Sequence, residues 1–137
     1  MRYIDTKMAK LTQAELLEIF QAIKREMKPY EKGTIVARLD LEGKYDLWSE
    51  KKGINTYGRI RDEVAFAAAI IQSNYVGFYF MPVYGSDEIK AKMPEELMKL
   101  LKGKACFHIK KNDPEIMKLI GKALKMGYEG YDRLGWI

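Results

Sequence analysis

Val64-Ala-Phe-Ala-Ala-Ala-Ile-Ile71 is the stretch on which the fold turns, because an unbroken apolar run with three consecutive alanines suits a buried helix or a buried strand. Its eight residues decide for the strand: few for a helix, ample to cross a sheet. The same run falls far short of the ~20 residues that cross a bilayer. Downstream, Ser73 and Asn74 turn the chain into Tyr75-Val-Gly-Phe-Tyr-Phe-Met81, an aromatic central strand that Pro82 closes. Upstream, Thr34 to Leu41 has period two, with Ile35, Ala37, Leu39 and Leu41 on an inward face and Thr34, Val36, Arg38 and Asp40 outward. Glu42-Gly-Lys44 returns this strand into Tyr45–Ser49 as a hairpin. Lys51 to Glu63, with Gly53, Asn55 and Gly58, reads as a longer flexible hairpin loop carrying Lys51, Lys52, Arg59 and Arg61.

Helices flank these strands. Thr12 and Glu15 form a capping box, and Leu16, Ile19, Phe20, Ile23 and Met27 give the following helix one apolar face until Pro29 and Gly33 stop it. Met1 to Lys10 has no period and reads as a loosely held arm. Ser86 or Asp87 begins a short turn, and Pro94-Glu-Glu96 opens a helix that buries Leu97, Met98, Leu100 and Leu101 and ends at Gly103. Ala105 to Ile109 is one more strand. Asp113-Pro-Glu115 then starts a last helix that runs through Met126 before Gly127, and the tail 128–137 docks back on the body. No linker, composition break or repeat divides the chain, so 1–137 reads as a single domain. The expected fold is α+β in two layers, an antiparallel sheet of about five strands with helices packed on one face.

The 137 residues are 47% hydrophobic and 31% charged, which suits one globular core and excludes disorder or a disulfide-stapled miniprotein. Cys106 is the only cysteine, so no internal bridge forms. With no N-terminal apolar run, it points to a reducing, cytoplasmic setting. The net charge is +5, and eight lysines lie between Leu97 and Tyr128 against Asp113 and Glu115. Three of them, Lys118, Lys122 and Lys125, recur at helical spacing as a basic face, either simply solvated or turned to an acidic protein partner. Only Phe107 and Tyr128 lie near this basic third, which argues against single-stranded nucleic acid, whose bases stack on interleaved aromatics.

This order of elements, with Tyr75-Val-Gly-Phe-Tyr-Phe-Met-Pro82 and Leu101-Lys-Gly-Lys-Ala-Cys-Phe-His-Ile-Lys110 before the Asp113-Pro114 helix start, resembles the YdhG-like family over about residues 12 to 126. These are small domains of largely unknown function, some described as frataxin-like iron chaperones. The resemblance implies an antiparallel sheet with helices on one side, and iron as the one cofactor to consider. It implies no catalytic set, so no site residue is transferred. Relatives often carry a Tyr-Gly-x-Pro-like turn where this chain has Thr34-Ile-Val-Ala-Arg38.

A single histidine, His108, leaves no His-Glu-x-x-His zinc helix and no two-histidine site. Ser49, Ser73 and Ser86 sit in no Gly-x-Ser-x-Gly elbow, and no glycine-rich loop matches a phosphate cradle. What remains is a surface. Strand alternation puts Cys106 and His108 on one face and Ala105, Phe107 and Ile109 on the other. Likewise Tyr75, Gly77, Tyr79 and Met81 oppose Val76, Phe78 and Phe80. If helices cover the Phe78/Phe107 face, then Arg38, Tyr79, Cys106 and His108 form a ligand-binding patch on the open one.

Three functions follow as expectations. The first is a non-catalytic binding module for a small ligand or an acidic protein, with a pocket that holds Tyr79 and His108. The second, from resemblance alone, is an iron carrier, which requires at least three converging carboxylates from pairs such as Glu15/Glu18, Asp62/Glu63, Asp87/Glu88 and Glu95/Glu96. The third is an enzyme with Cys106 as nucleophile and His108 as base. Tyr45, Trp48, Tyr57, Tyr84 and Trp136 are further candidates to rim a partner patch, with core packing as their alternative.

Overall fold

The computed structural model describes residues 10–137, so the arm expected over 1–10 lies, Lys10 apart, outside the described residues. The chain runs α1 (Gln13–Met27), a 3₁₀ turn (Lys28–Tyr30), β1 (Ile35–Leu41), β2 (Lys44–Ser49), β3 (Ile54–Thr56), β4 (Arg59–Arg61), β5 (Val64–Ile71) and β6 (Val76–Phe80). It continues through α2 (Met81–Gly85), α3 (Asp87–Lys92), α4 (Glu95–Met98), β7 (Leu101–Lys102), β8 (Cys106–Ile109) and α5 (Pro114–Leu134). Six strands make one antiparallel sheet, β1-β2-β5-β6-β8-β7, and β3 and β4 pair apart from it. The fold is α+β as expected, with the two-residue β7 as the sixth strand. Among the described residues no helix is long and apolar enough to cross a membrane.

Helix α1 begins as its sequence dictates: Thr12 Oγ1 accepts from the Glu15 N–H at 3.0 Å, and the Glu15 carboxylate accepts from the Thr12 N–H at 2.8 Å. Its apolar side lies over β5 and β6 and alongside α5. Beneath it sit Tyr45, Leu47, Phe66, Ala69, Phe78, Phe80 and Phe107, all fully buried or nearly so. Val64–Ile71 is a strand, paired with β2 on one side and β6 on the other.

Two bulges set which residues reach which face. In β2–β5, Leu47 pairs with Ala67 and Trp48 with Ala65, so Phe66 is an extra residue. Phe66 and Ala67 thus both turn to the core. In β1–β2, Ala37 pairs with Leu47 but Leu39 with Asp46, leaving Arg38 unpaired. The alternation expected for β1 therefore fails after Ala37. Leu39 and Leu41 pair with the outward residues Asp46 and Lys44 and are 40% and 57% exposed, while Asp40 swings to the α1 side and meets the Lys24 ammonium.

The last helix corrects two further expectations. Gly127 does not end it; α5 continues to Leu134, and Gly135 at φ +77° closes it. Gly127 serves instead as a point of close approach, since a Cβ there would fall 2.4 Å from Phe80 Cζ. The docked tail is correspondingly short, Gly135 to Ile137. Gly103 likewise ends no helix: α4 stops at Met98, and Gly103, at φ +84°, turns β7 into β8. The segment 51–63 is a hairpin rather than a plain loop. Its Ile54 and Thr56 are buried, and the tail holds it: Trp136 Nε1 donates to the Asn55 carbonyl at 3.0 Å, and Ser49 Oγ donates to the Trp136 carbonyl at 2.5 Å.

Candidate functional site

The sheet face away from α1 carries Val36, Leu39, Leu41, Asp46, Trp48, Ala65, Ile70, Tyr79, Cys106 and His108, half-buried or exposed, with Ala68 and Gly77 buried between them. The β6–β8 register places Tyr79 opposite Cys106 and Gly77 opposite His108. The Tyr79 ring folds over Gly77, where a Cβ would lie 2.7 Å from Cε1. Glycine at that position is what lets the tyrosine lie flat along the sheet. Gln72 Nε2 donates to the Tyr79 hydroxyl at 2.9 Å. Burial pushes the Tyr79 phenol up, with Cys106 adding to the shift. It also pushes the Cys106 thiol up, against the pull of the Tyr79 hydroxyl. A thiol so placed stays protonated and is a poor nucleophile.

His108 does not turn to Cys106 as a base. Its imidazole stacks on the Tyr75 ring, and burial, then Lys102 and Lys110, draw its pKa down. Three of the four expected ligand residues, Tyr79, Cys106 and His108, are thus neighbours. Arg38 is not. It lies on β1, three strand spacings from β6, or roughly 14 Å. There its guanidinium covers the Trp48 ring at 4.4 Å and pairs with Glu50 at 3.0 Å and Glu63 at 2.8 Å.

Between Arg38 and Tyr79 lies a feature the sequence reading missed. Trp48 and Tyr79 flank Ala65 and Ala68 from the neighbouring strands, and Met81 borders the same depression of about 110 Å³. Asp46 sits at its side and accepts a hydrogen bond from Trp48 Nε1 at 3.1 Å. Burial raises the Asp46 carboxyl, opposed by that bond and by the Arg38 charge. The signal in the sequence was the small side chains of the alanine run flanked by Trp48 and Tyr79, but only the bulge at Phe66 puts Ala65 and Ala68 on this face together.

Tyr79 and His108 therefore do not share one pocket. His108 lines a separate groove of about 460 Å³ at the β7–β8 edge, beside the start of α5, together with Lys102, Lys110 and Ile116. Lys118, Lys122 and Lys125 are exposed on α5, and none is in an ion pair among the described residues.

Of the aromatic candidates, Tyr45 and Trp136 are core residues, 0% and 6% exposed, while Tyr57 and Tyr84 meet edge to face at the surface, their centroids 6.1 Å apart. Several of the carboxylates suggested for iron have local partners. Glu15 caps α1, and Glu18 accepts from Asn112 Nδ2 at 3.1 Å. Among the described residues no three His, Cys, Asp or Glu side chains are grouped to hold a metal ion. Compared with protein-family models, curated proteins and solved structures, the chain matches none.

Proposed function

We propose that this chain is a non-catalytic binding module of a reducing, cytoplasmic setting, and that it takes a small apolar ligand in the slot between Trp48 and Tyr79. The observation that carries this reading is the slot itself: an alanine floor flanked by Trp48 and Tyr79, on a sheet face that the helices leave uncovered. Apolar surface buried there gains about 25 cal/mol per Å². A binding role is also favoured by the state of the groups that would do chemistry. The Cys106 thiol is held protonated and His108 is stacked on Tyr75, so the nucleophile–base pair has no support. The iron-delivery reading rests on the YdhG-like resemblance alone and gains no observation here.

The test is an NMR titration with benzene, a neutral apolar probe small enough for a depression of about 110 Å³. Ala68, 8% exposed, forms the floor of the slot, so Ala68→Leu fills it and should weaken saturable probe binding by about fivefold or more, with the unfolding midpoint followed beside it to verify that the variant is folded. Equal binding by the variant and the parent would remove the slot as the ligand site.

A further inference from the structure

Of the eight lysines between Leu97 and Tyr128, three line the outer side of α5 and Lys104 lies over the Tyr84 ring at 5.6 Å. The other four, Lys99, Lys102, Lys110 and Lys111, converge from α4, β7 and the β8–α5 loop on the one groove that His108 also lines. We propose that this groove is a second binding site, distinct from the slot, for a small organic anion: a carboxylate or phosphate head on an apolar body.

Charge supplies the first argument. Two carboxylates also line the groove, but both are committed locally. Glu96 pairs with Lys99 at 2.9 Å, and Asp113 accepts the Glu115 N–H at 2.9 Å as the cap of α5. Lys102, Lys110 and Lys111 make no ion pair among the described residues. Three ammonium groups against the one carboxylate of Asp113 leave the groove net positive, and an anion between them is favoured. His108 registers the same positive field, because Lys102 and Lys110 both help to depress its pKa.

Shape supplies the second. The floor is apolar, formed by Leu100, Ile109 and Ile116, and about 460 Å³ is the size of a small-molecule site rather than of a lone ion. Bare phosphate would leave that floor wet, whereas an anion carrying a ring or a short chain would cover it. The head would sit among the ammonium groups and beside the His108 imidazole, with the body over Leu100 and Ile116.

The sole histidine makes the test direct, since its imidazole gives one set of proton resonances. Phenyl phosphate is titrated into the full chain while the His108 resonances and the binding heat are followed, with inorganic phosphate in parallel. Saturable binding that shifts His108 is expected, with inorganic phosphate at least about tenfold weaker for want of apolar contact. The double variant Lys102→Ala/Lys110→Ala should lose at least about tenfold in affinity, and Lys118→Ala/Lys122→Ala on α5 less than about twofold. Ala68→Leu should bind phenyl phosphate like the parent, which keeps this outcome independent of the slot.

An unmoved His108 at saturation, equal affinity for the two phosphates, or equal losses in the two lysine pairs would each overturn the proposal. Lys102 and Lys110 are exposed, so the variants fold, and an unchanged unfolding midpoint verifies it.

Discussion

The Tyr75 ring lies flat against the His108 imidazole, with centroids 3.7 Å apart and planes 11° from parallel. Burial, with Lys102 and Lys110 beside it, makes protonation of His108 less favourable in the folded chain than in the unfolded one. As pH falls below the ordinary value of 6.5, the unfolded state takes up the proton first, and stability declines until the lower folded pKa is passed. Urea unfolding at pH 7.5 and pH 5.5 should show this loss. His108→Gln, which cannot titrate, should show a smaller one; equal losses in the two proteins would mean that His108 is not the group responsible.

Asp46 works in the opposite sense. Burial beside Trp48 outweighs the indole hydrogen bond and the Arg38 charge, so its folded pKa is raised and ionisation at neutral pH costs the fold stability. Asp46→Asn keeps an acceptor for Trp48 Nε1 and removes the charge. The variant should be the more stable protein at pH 7. Its advantage should shrink as pH falls, because wild-type Asp46 regains stability as it takes up its proton in the folded state, and should vanish below about 3.8, where Asp46 is protonated in both states. Thermal unfolding at pH 7 and pH 4.5 measures the difference, and a variant less stable at both would contradict the sign.

These two groups also show what a sequence can and cannot tell. Local signals were enough for α1, whose capping box and apolar spacing are self-contained, and for β5, where length settled an ambiguous composition. Alternation alone put Cys106 and His108 on one face and Phe107 on the other. It failed in β1, because a bulge at Arg38 is a choice of backbone pairing that no side chain announces, and the failure moved Leu39 and Leu41 outward. Gly127 was misread for a related reason: glycine ends helices often, and only the position of Phe80 shows that this one is needed for contact. Both concavities depend on such long-range facts. The slot needs three strands in register across a bulge, and the groove needs β7 and the start of α5 to close around β8.

The glycines of α5 allow a paired test. At Gly127 a Cβ would fall 2.4 Å from Phe80 Cζ and 2.8 Å from Pro82 Cγ, and Phe80 is fully buried with no room to retreat. Gly127→Ala should destabilise by about 1–3 kcal/mol, overpacking outweighing the helix preference of alanine. At Gly121 the near atom is Glu26 Oε1 at 2.7 Å, the end of a flexible side chain that can swing away. Gly121→Ala should therefore be neutral or stabilising by up to about 1 kcal/mol. Denaturant unfolding of both variants decides the matter. A stabilised Gly127→Ala would show that Phe80 does not press on α5.

Trp136 ties the tail to the β3–β4 hairpin by two different means, and two substitutions separate them. Its indole is 6% exposed and meets Tyr57 and Tyr131 edge to face at 5.6 and 4.9 Å, while Nε1 donates to the Asn55 carbonyl. Trp136→Phe keeps a ring in place but leaves that carbonyl without its donor, a loss of about 1 kcal/mol. Trp136→Ala also removes the packing and should cost about 3–5 kcal/mol. The Ser49 hydroxyl would still donate to the residue 136 carbonyl, because that acceptor is backbone. Hydrogen exchange locates the damage. The amides of Ile54 to Arg61 should exchange faster in Trp136→Ala than in Trp136→Phe, while those of β5 and β6 change only with global stability. If the hairpin amides kept their protection in both variants, the hairpin would be holding itself together through its own Tyr57–Gly58 turn, where both residues have positive φ, and the tail would be a passenger.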